Sequence, residues 1–146
     1  MLYYPQLTPI PIFGTKTAAK VIATSVTLTN AYTGNAKTFP VGGPSELALM
    51  WKYTTGTSET GSSLDIQLSV SNDNVNYYIL TNESASTGTS TLYSRTFVTG
   101  GGAGATAYSQ SYRIDVSYKY MKIAVQEAGV SSNYGTLFME ATLAGN

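Results

Sequence analysis

The chain's 146 residues include eight Lys or Arg and eight Asp or Glu, so the formal net charge is zero and only 11% of the chain is charged, against about 25% in a typical globular domain. The cations are scattered from Lys16 to Lys122, which excludes the clustered basic surface that nucleic acid requires, and no apolar run approaches the roughly 20 residues of a membrane-spanning helix. His and Cys are absent; with them go the commonest general base, the thiol nucleophile, disulfides and most zinc sites.

At this length a single domain is expected, able to bury about 70% of its unfolded surface without a staple. Ser, Thr, Gly, Asn and Tyr stand in for the missing charge. Such a surface is weakly hydrated, and near-zero net charge favours association. Thr and Tyr are also strand formers, so the same composition follows from a β-rich fold.

Residues 1–20 read as an extended N-terminal arm. Pro5, Pro9 and Pro11 alternate with Leu2, Tyr3, Tyr4, Leu7, Ile10, Ile12 and Phe13. Proline fixes φ and pushes its predecessor into extended conformations. The segment is too apolar to remain in water, so it either lies along its own domain or docks on another subunit. Because proline lacks a ladder donor, the arm is not expected to take a central position in a sheet. Its seven apolar residues are then candidate interface residues, meeting a neighbouring subunit's groove. The segment has no basic n-region and its prolines interrupt any apolar helix, so it does not read as a signal peptide. The protein is expected to stay in, or assemble in, the cytoplasm where it is made.

The remaining residues, 21–146, read as one β domain. Val21 to Thr29 is rich in β-branched residues and predicts a strand, followed by a turn at Asn30 to Asn35 and a short strand at Lys37 to Val41. Gly42-Gly43-Pro44 breaks the chain. The central strand runs from Glu46 to Thr55, with Leu47, Leu49, Trp51 and Tyr53 on one parity. A polar loop leads to Leu64–Ser71, where Leu64, Ile66, Leu68 and Val70 alternate with Asp65, Gln67 and Ser69. Asn72-Asp73-Asn74 predicts a tight turn, and Asn76 to Thr81 returns as the hairpin partner. Thr91 to Thr99 is a further strand, and the glycine run from Gly100 to Ala105 is the loosest point. Tyr108–Val116, Tyr118–Gln126 and Gly135–Leu143 complete the series. Met121, Ile123 and Val125 share a face in the second of these, and Leu137, Met139, Ala141 and Leu143 share one in the third.

The series amounts to about eight strands with no convincing helix, which predicts an all-β, antiparallel, jelly-roll-like β-sandwich. Trp51 is expected to be buried on the face of Leu49, in a core with Ile66 and Leu68.

Little in the sequence specifies chemistry. Eight carboxylates exist, and Asp65 and Asp115 sit at polar parity, where a solvent-facing partner role for Lys or Arg is expected. No pair is placed to form the converging dyad a glycosidase needs. Ser71 to Asn76 is rich in oxygen, but a calcium loop calls for several carboxylates and a glycine at the bend; here there is one carboxylate and no glycine, which reads as an Asx turn. The glycine runs match no phosphate-binding spacing. No catalytic residue, metal site or cofactor is therefore expected. Twelve tyrosines remain, and exposed Tyr suits protein interfaces and sugar stacking alike.

The run LDIQLSVSNDNVNYYIL, Leu64 to Leu80, resembles a hairpin of small β-sandwich modules, among them discoidin-like and carbohydrate-binding sandwiches and structural proteins of tailed-bacteriophage virions. The closing YKYMKIAVQEAGVSSNYGTLFMEATLA, Tyr118 to Ala144, is similar to the same phage proteins, as is a short Cys-free chain with an apolar arm. The resemblance implies a non-enzymatic virion subunit of the capsid decoration or minor head or tail type, assembled in the host cytoplasm. Its partners would be further copies of itself, as a homo-oligomer, and other virion proteins such as the major capsid protein. The alternative is a carbohydrate-binding module on a receptor-binding or host-attachment assembly, with Tyr77, Tyr78, Tyr93 and Tyr120 as candidate glycan contacts. Carbohydrate-binding modules often carry Gly after the turn Asp and Trp on the return strand; this chain has Asn74 and Tyr77-Tyr78 there.

Overall fold

A computed structural model describes residues 9–18, 21–42, 45–56, 63–83, 90–92, 94–98, 107–130 and 132–145. They form β1 (Ile10–Phe13), β2 (Thr15–Lys16), β3 (Ile22–Thr24), β4 (Val26–Thr27), β5 (Ala36–Pro40), β6 (Ser45–Thr54), β7 (Ser63–Ser71), β8 (Tyr78–Ile79), β9 (Thr81–Glu83), β10 (Ser90–Leu92), β11 (Ser94–Val98), β12 (Ala107–Val116), β13 (Tyr120–Ala128) and β14 (Thr136–Gly145), with a 3-10 turn at Tyr32–Gly34.

The fold is all-β. Two five-stranded antiparallel sheets carry it. The first has the order β1-β14-β6-β12, with β4 also on β14; the second has the order β11-β7-β13-β5, with β8 also on β7. Alternation along the long strands decides which side chains face inward. Leu47, Leu49, Trp51 and Tyr53 of β6 join Leu137, Met139 and Ala141 of β14 from the first sheet. Leu64, Ile66, Leu68 and Val70 of β7 join Met121, Ile123 and Val125 of β13 from the second, and all fourteen lie in one buried cluster. The two sheets are therefore the layers of a sandwich around a shared core. Trp51 lies in that cluster with Leu49, Ile66 and Leu68, as the parity of the central strand predicts.

The strands outnumber the expected eight because several edge segments split. Val21–Thr29 breaks at Ser25: β3 pairs with β2, and β4 pairs with β14. Within Thr91–Thr99 the described residues have two partners: β10 pairs with β9, and β11 pairs with β7. A short edge segment is held on one side only, so twist lets it change partners within a few residues.

The arm requires a correction. Ile10, Ile12 and Phe13, expected at an interface with another subunit, belong to β1, which pairs with β14. Ile12 and Phe13 are buried in the protein's own core, and Ile10 packs against it. Proline bars only a central position, and β1 is an edge strand, where a missing donor leaves no central ladder incomplete. A bulge between Pro11 and Phe13 shifts the register, so the neighbours Ile12 and Phe13 are both buried. Leu2, Tyr3, Tyr4 and Leu7 lie outside the described residues.

The chain crosses between the sheets at Leu28–Asn35. Leu28 N–H donates to Gly135 O (2.9 Å) on the first sheet's side, while Thr29 O and Asn35 O accept from Glu127 N–H (2.8 Å) and Val125 N–H (2.9 Å) of β13. At the same end of the sandwich sits a buried polar contact. Glu127 continues the inward parity of Met121, Ile123 and Val125 and is fully buried. Its Oε1 accepts a hydrogen bond from the Tyr53 hydroxyl of β6. Its Oε2 accepts from Gly135 N–H at 2.5 Å. A Cβ on Gly135 would lie 2.4 Å from Thr54 O and 2.9 Å from Tyr53 Cε2, so the approach requires glycine.

The outer face of β14 is also covered. Phe138 and Glu140 point away from the core yet are buried. Lys16 Nζ reaches Glu140 Oε1 at 2.7 Å and lies 5.3 Å from the centre of the Phe138 ring. The turn into β2 is made by Gly14 at φ +79°, where a Cβ would meet Thr24 O at 2.3 Å. Asp65, expected to pair with Lys or Arg, instead accepts from Gln126 Nε2 at 3.1 Å on the neighbouring β13.

Two substitutions test this arrangement. Trp51→Ala should lower stability by about 3–5 kcal/mol, as removal of a buried indole does elsewhere; urea unfolding measures it, and a native midpoint would place Trp51 outside the core. Gly135→Ala should cost about 1–3 kcal/mol through overpacking, whereas Gly42→Ala, with an open Cβ position but a φ of +76°, should cost only the strain of an alanine in the left-handed region; urea unfolding measures both.

Candidate functional site

The hairpin between β7 and β8 builds the most elaborated surface feature among the described residues. Ser71 closes β7 and is buried. Its hydroxyl donates to Asp73 Oδ1 (2.8 Å) and accepts from the N–H groups of Asp73 (3.2 Å) and Asn74 (3.1 Å). Asp73 Oδ1 also accepts from Val75 N–H (2.9 Å) and Asn76 N–H (2.8 Å), and its Oδ2 from Asn76 Nδ2 (2.7 Å). These bonds make the segment an Asx turn, with Asn74 in the left-handed region at φ 62°. The Tyr77 hydroxyl donates to Asn74 Oδ1 at 2.6 Å, and Lys119 N–H from the opposite loop donates to Asn72 Oδ1 at 3.4 Å.

The electrostatics follow from those bonds. The Asn76 N–H, then the Val75 N–H, with the Asn76 amide and the Ser71 hydroxyl, hold the Asp73 carboxyl far below its ordinary 3.8. Hydrogen bonds to the ionised form favour that form. Asp73 is thus charged at any ordinary pH, and its charge is spent on the turn.

Against this turn lies a cleft of about 510 Å³, lined among others by Val70, Asn72, Asp73, Asn76, Tyr78 and Tyr118. Tyr78 pairs with Val70 and so takes the inward parity, but β8 is short and lies beside the end of β7. Tyr78 is 70% exposed; Tyr118, in the turn before β13, is 36% exposed.

The four candidate tyrosines do not assemble. Tyr78 lines the cleft. Tyr77, its chain neighbour, takes the opposite parity, and the Lys122 ammonium sits 4.9 Å from the centre of its ring. Tyr120 is half-buried beside Ser71 and Pro40 in the second sheet. Tyr93 lies outside the described residues. Tyr118 is the residue that sequence reading missed as a site candidate: expected to open the strand Tyr118–Gln126, it lies in the turn before β13, which begins at Tyr120. Its place in the run Tyr118-Lys119-Tyr120, directly before a strand, was the available signal.

Asp73→Ala tests the turn. The carboxyl has a depressed pKa in the folded protein, so its contribution is complete above about pH 4, the unfolded range, and fades as pH falls toward the folded value. The variant should melt below the native protein at pH 7 and pH 5, and the gap should narrow below about pH 3. A gap that is unchanged at pH 2 would mean that the carboxylate's charge is not what holds the turn.

A scan against protein-family models gives no match for the chain, and a search of curated proteins finds none similar to it.

Proposed function

We propose that the protein is a non-enzymatic structural subunit of a bacteriophage virion, of the capsid decoration or minor head or tail type, acting through protein–protein contacts. The observation that carries this reading is β12. It is ten residues long and lies at the end of its sheet, paired only with β6 among the described residues. A long open edge presents backbone donors and acceptors to a partner strand. On a chain with zero net charge and 11% charged residues, nothing electrostatic opposes approach of a second copy. The resemblance of the hairpin and the closing strands to phage structural proteins supports the same reading. Homo-oligomer formation and contact with a major capsid protein follow from it.

A second reading, a carbohydrate-binding module on a host-attachment assembly, is favoured by one observation: the cleft holding the exposed Tyr78 and Tyr118 beside two asparagines.

Particles purified from the culture that yields the sequence should contain the chain by mass spectrometry at a stoichiometry set by symmetry, and multi-angle light scattering should show concentration-dependent association. A protein that stays monomeric at high concentration and is missing from such particles would overturn the structural-subunit reading. Truncation locates the contacts. Deleting residues 1–8, with Leu2, Tyr3, Tyr4 and Leu7, should leave the melting temperature near native and abolish particle binding. Deleting residues 1–13 should also lower the melting temperature, because Ile12 and Phe13 leave the core.

A further inference from the structure

We infer that the cleft beside the β7–β8 turn is a binding site for a neutral saccharide, gripped between the tyrosine rings of Tyr78 and Tyr118 and read by the side-chain amides of Asn72 and Asn76. The inference rests on the second reading above and gives it a location.

The chemistry of the lining selects the ligand class. The volume, about 510 Å³, lies within the roughly 300–1,000 Å³ of small-ligand sites. A phosphate or an acidic sugar would call for a cation, yet no Lys or Arg is among the lining residues and the Asp73 carboxylate is. The nearby Lys122 ammonium is over the Tyr77 ring. A cation would call for free carboxylate oxygen, but Asp73 already accepts from Ser71, Val75 and Asn76 through both its oxygens. A wholly apolar ligand would desolvate the remaining amide atoms, Asn72 Nδ2 and Asn76 Oδ1, without replacing their bonds to water.

What remains is a molecule with apolar faces and neutral groups that both donate and accept. The turn prepares the two amides for that task. Lys119 N–H fixes Asn72 Oδ1 as acceptor, and Asp73 fixes Asn76 Nδ2 as donor. Among the described residues this leaves Asn72 Nδ2 to donate and Asn76 Oδ1 to accept. One donor and one acceptor, four residues apart on one hydrogen-bonded turn and both lining the cleft, suit the hydroxyls of a sugar, which donate and accept alike. The C–H faces of a pyranose stack on aromatic rings, and Tyr adds its hydroxyl at the rim. The rigidity of the turn means that little conformational freedom is lost on binding.

The test is an array of neutral and acidic oligosaccharides probed with the full chain, followed by calorimetric titration of the strongest neutral hit alongside maltotriose, cellotriose and chitotriose. The expected result is binding of at least one neutral oligosaccharide. It should weaken about tenfold or more in Tyr78→Ala and in Tyr118→Ala, be restored largely in Tyr78→Phe, and be unchanged in Met50→Ala, a substitution of an exposed side chain on the other sheet. Thermal melts of each variant verify folding; a misfolded Tyr78→Ala hands the decision to Asn72→Ala and Tyr118→Ala, which are expected to lose binding equally. Neutral-sugar binding that survives all three cleft substitutions would overturn this site while leaving the carbohydrate-binding reading in place. No binding of any neutral oligosaccharide at millimolar concentration, binding of acidic glycans alone, or occupation of the cleft by a peptide would overturn the inference itself.

Discussion

The sandwich depends at one end on a single buried carboxylate. Glu127 projects into the core from β13, and its two oxygens are held by Tyr53 of β6 and the backbone of Gly135 at the start of β14. Ionised or protonated, a buried carboxyl without partners would be costly. Here the partners come from the opposite sheet, so satisfying the carboxyl brings the two layers into register. The same requirement fixes Gly135 as glycine, because the N–H that Glu127 needs can approach only where no Cβ intervenes. Apolar burial holds the layers together without direction; this contact tells them where to stop sliding.

From that end the rest of the molecule can be followed outward. The crossing segment Leu28–Asn35 bonds to the same region, through Gly135 O and the N–H groups of Glu127 and Val125. At β14 the sequence does something unusual for a sandwich strand: both faces are buried, with Met139 and Ala141 in the core and Phe138 and Glu140 beneath the β2 turn. The hairpin that shapes the cleft is built on a different logic, local hydrogen bonds to Asp73 and Ser71 with little help from packing.

Much of this was legible in the chain. Period-two alternation placed Leu47 to Tyr53, Leu64 to Val70 and Met121 to Val125 in the core because sheets bury alternate side chains whatever their partners. The Asx turn was legible because its bonds join residues two or three apart. Glu127 was half legible: its parity with Val125 points it inward, but its partner Tyr53 is 74 residues away, and no local pattern carries that distance. That Ile12 and Phe13 enter their own core was not legible, because proline bars only a central ladder position and leaves open whether the segment forms an edge strand or docks elsewhere. Of the site, the return strand with Tyr78 could be named, while Tyr118, expected in a strand, comes from a turn on another segment and lines the same cleft only through the sheet order.

The edge that β1 makes has a consequence for growth. Pro11 supplies no donor there, the bulge at Pro11 and Phe13 breaks the ladder, and Lys37 Nζ takes the Pro11 carbonyl at 3.4 Å. The opposite edge, β12, is regular over ten residues and carries no such obstruction among the described residues. A sheet with one sealed margin and one open margin can add a like sheet once and no more. Pairing of β12 with β12 of a second copy would bring open margin to open margin and leave sealed margins on both outer sides, a closed two-fold dimer. The polarity built into this layer thus separates finite association from the end-to-end fibre that two open margins would permit.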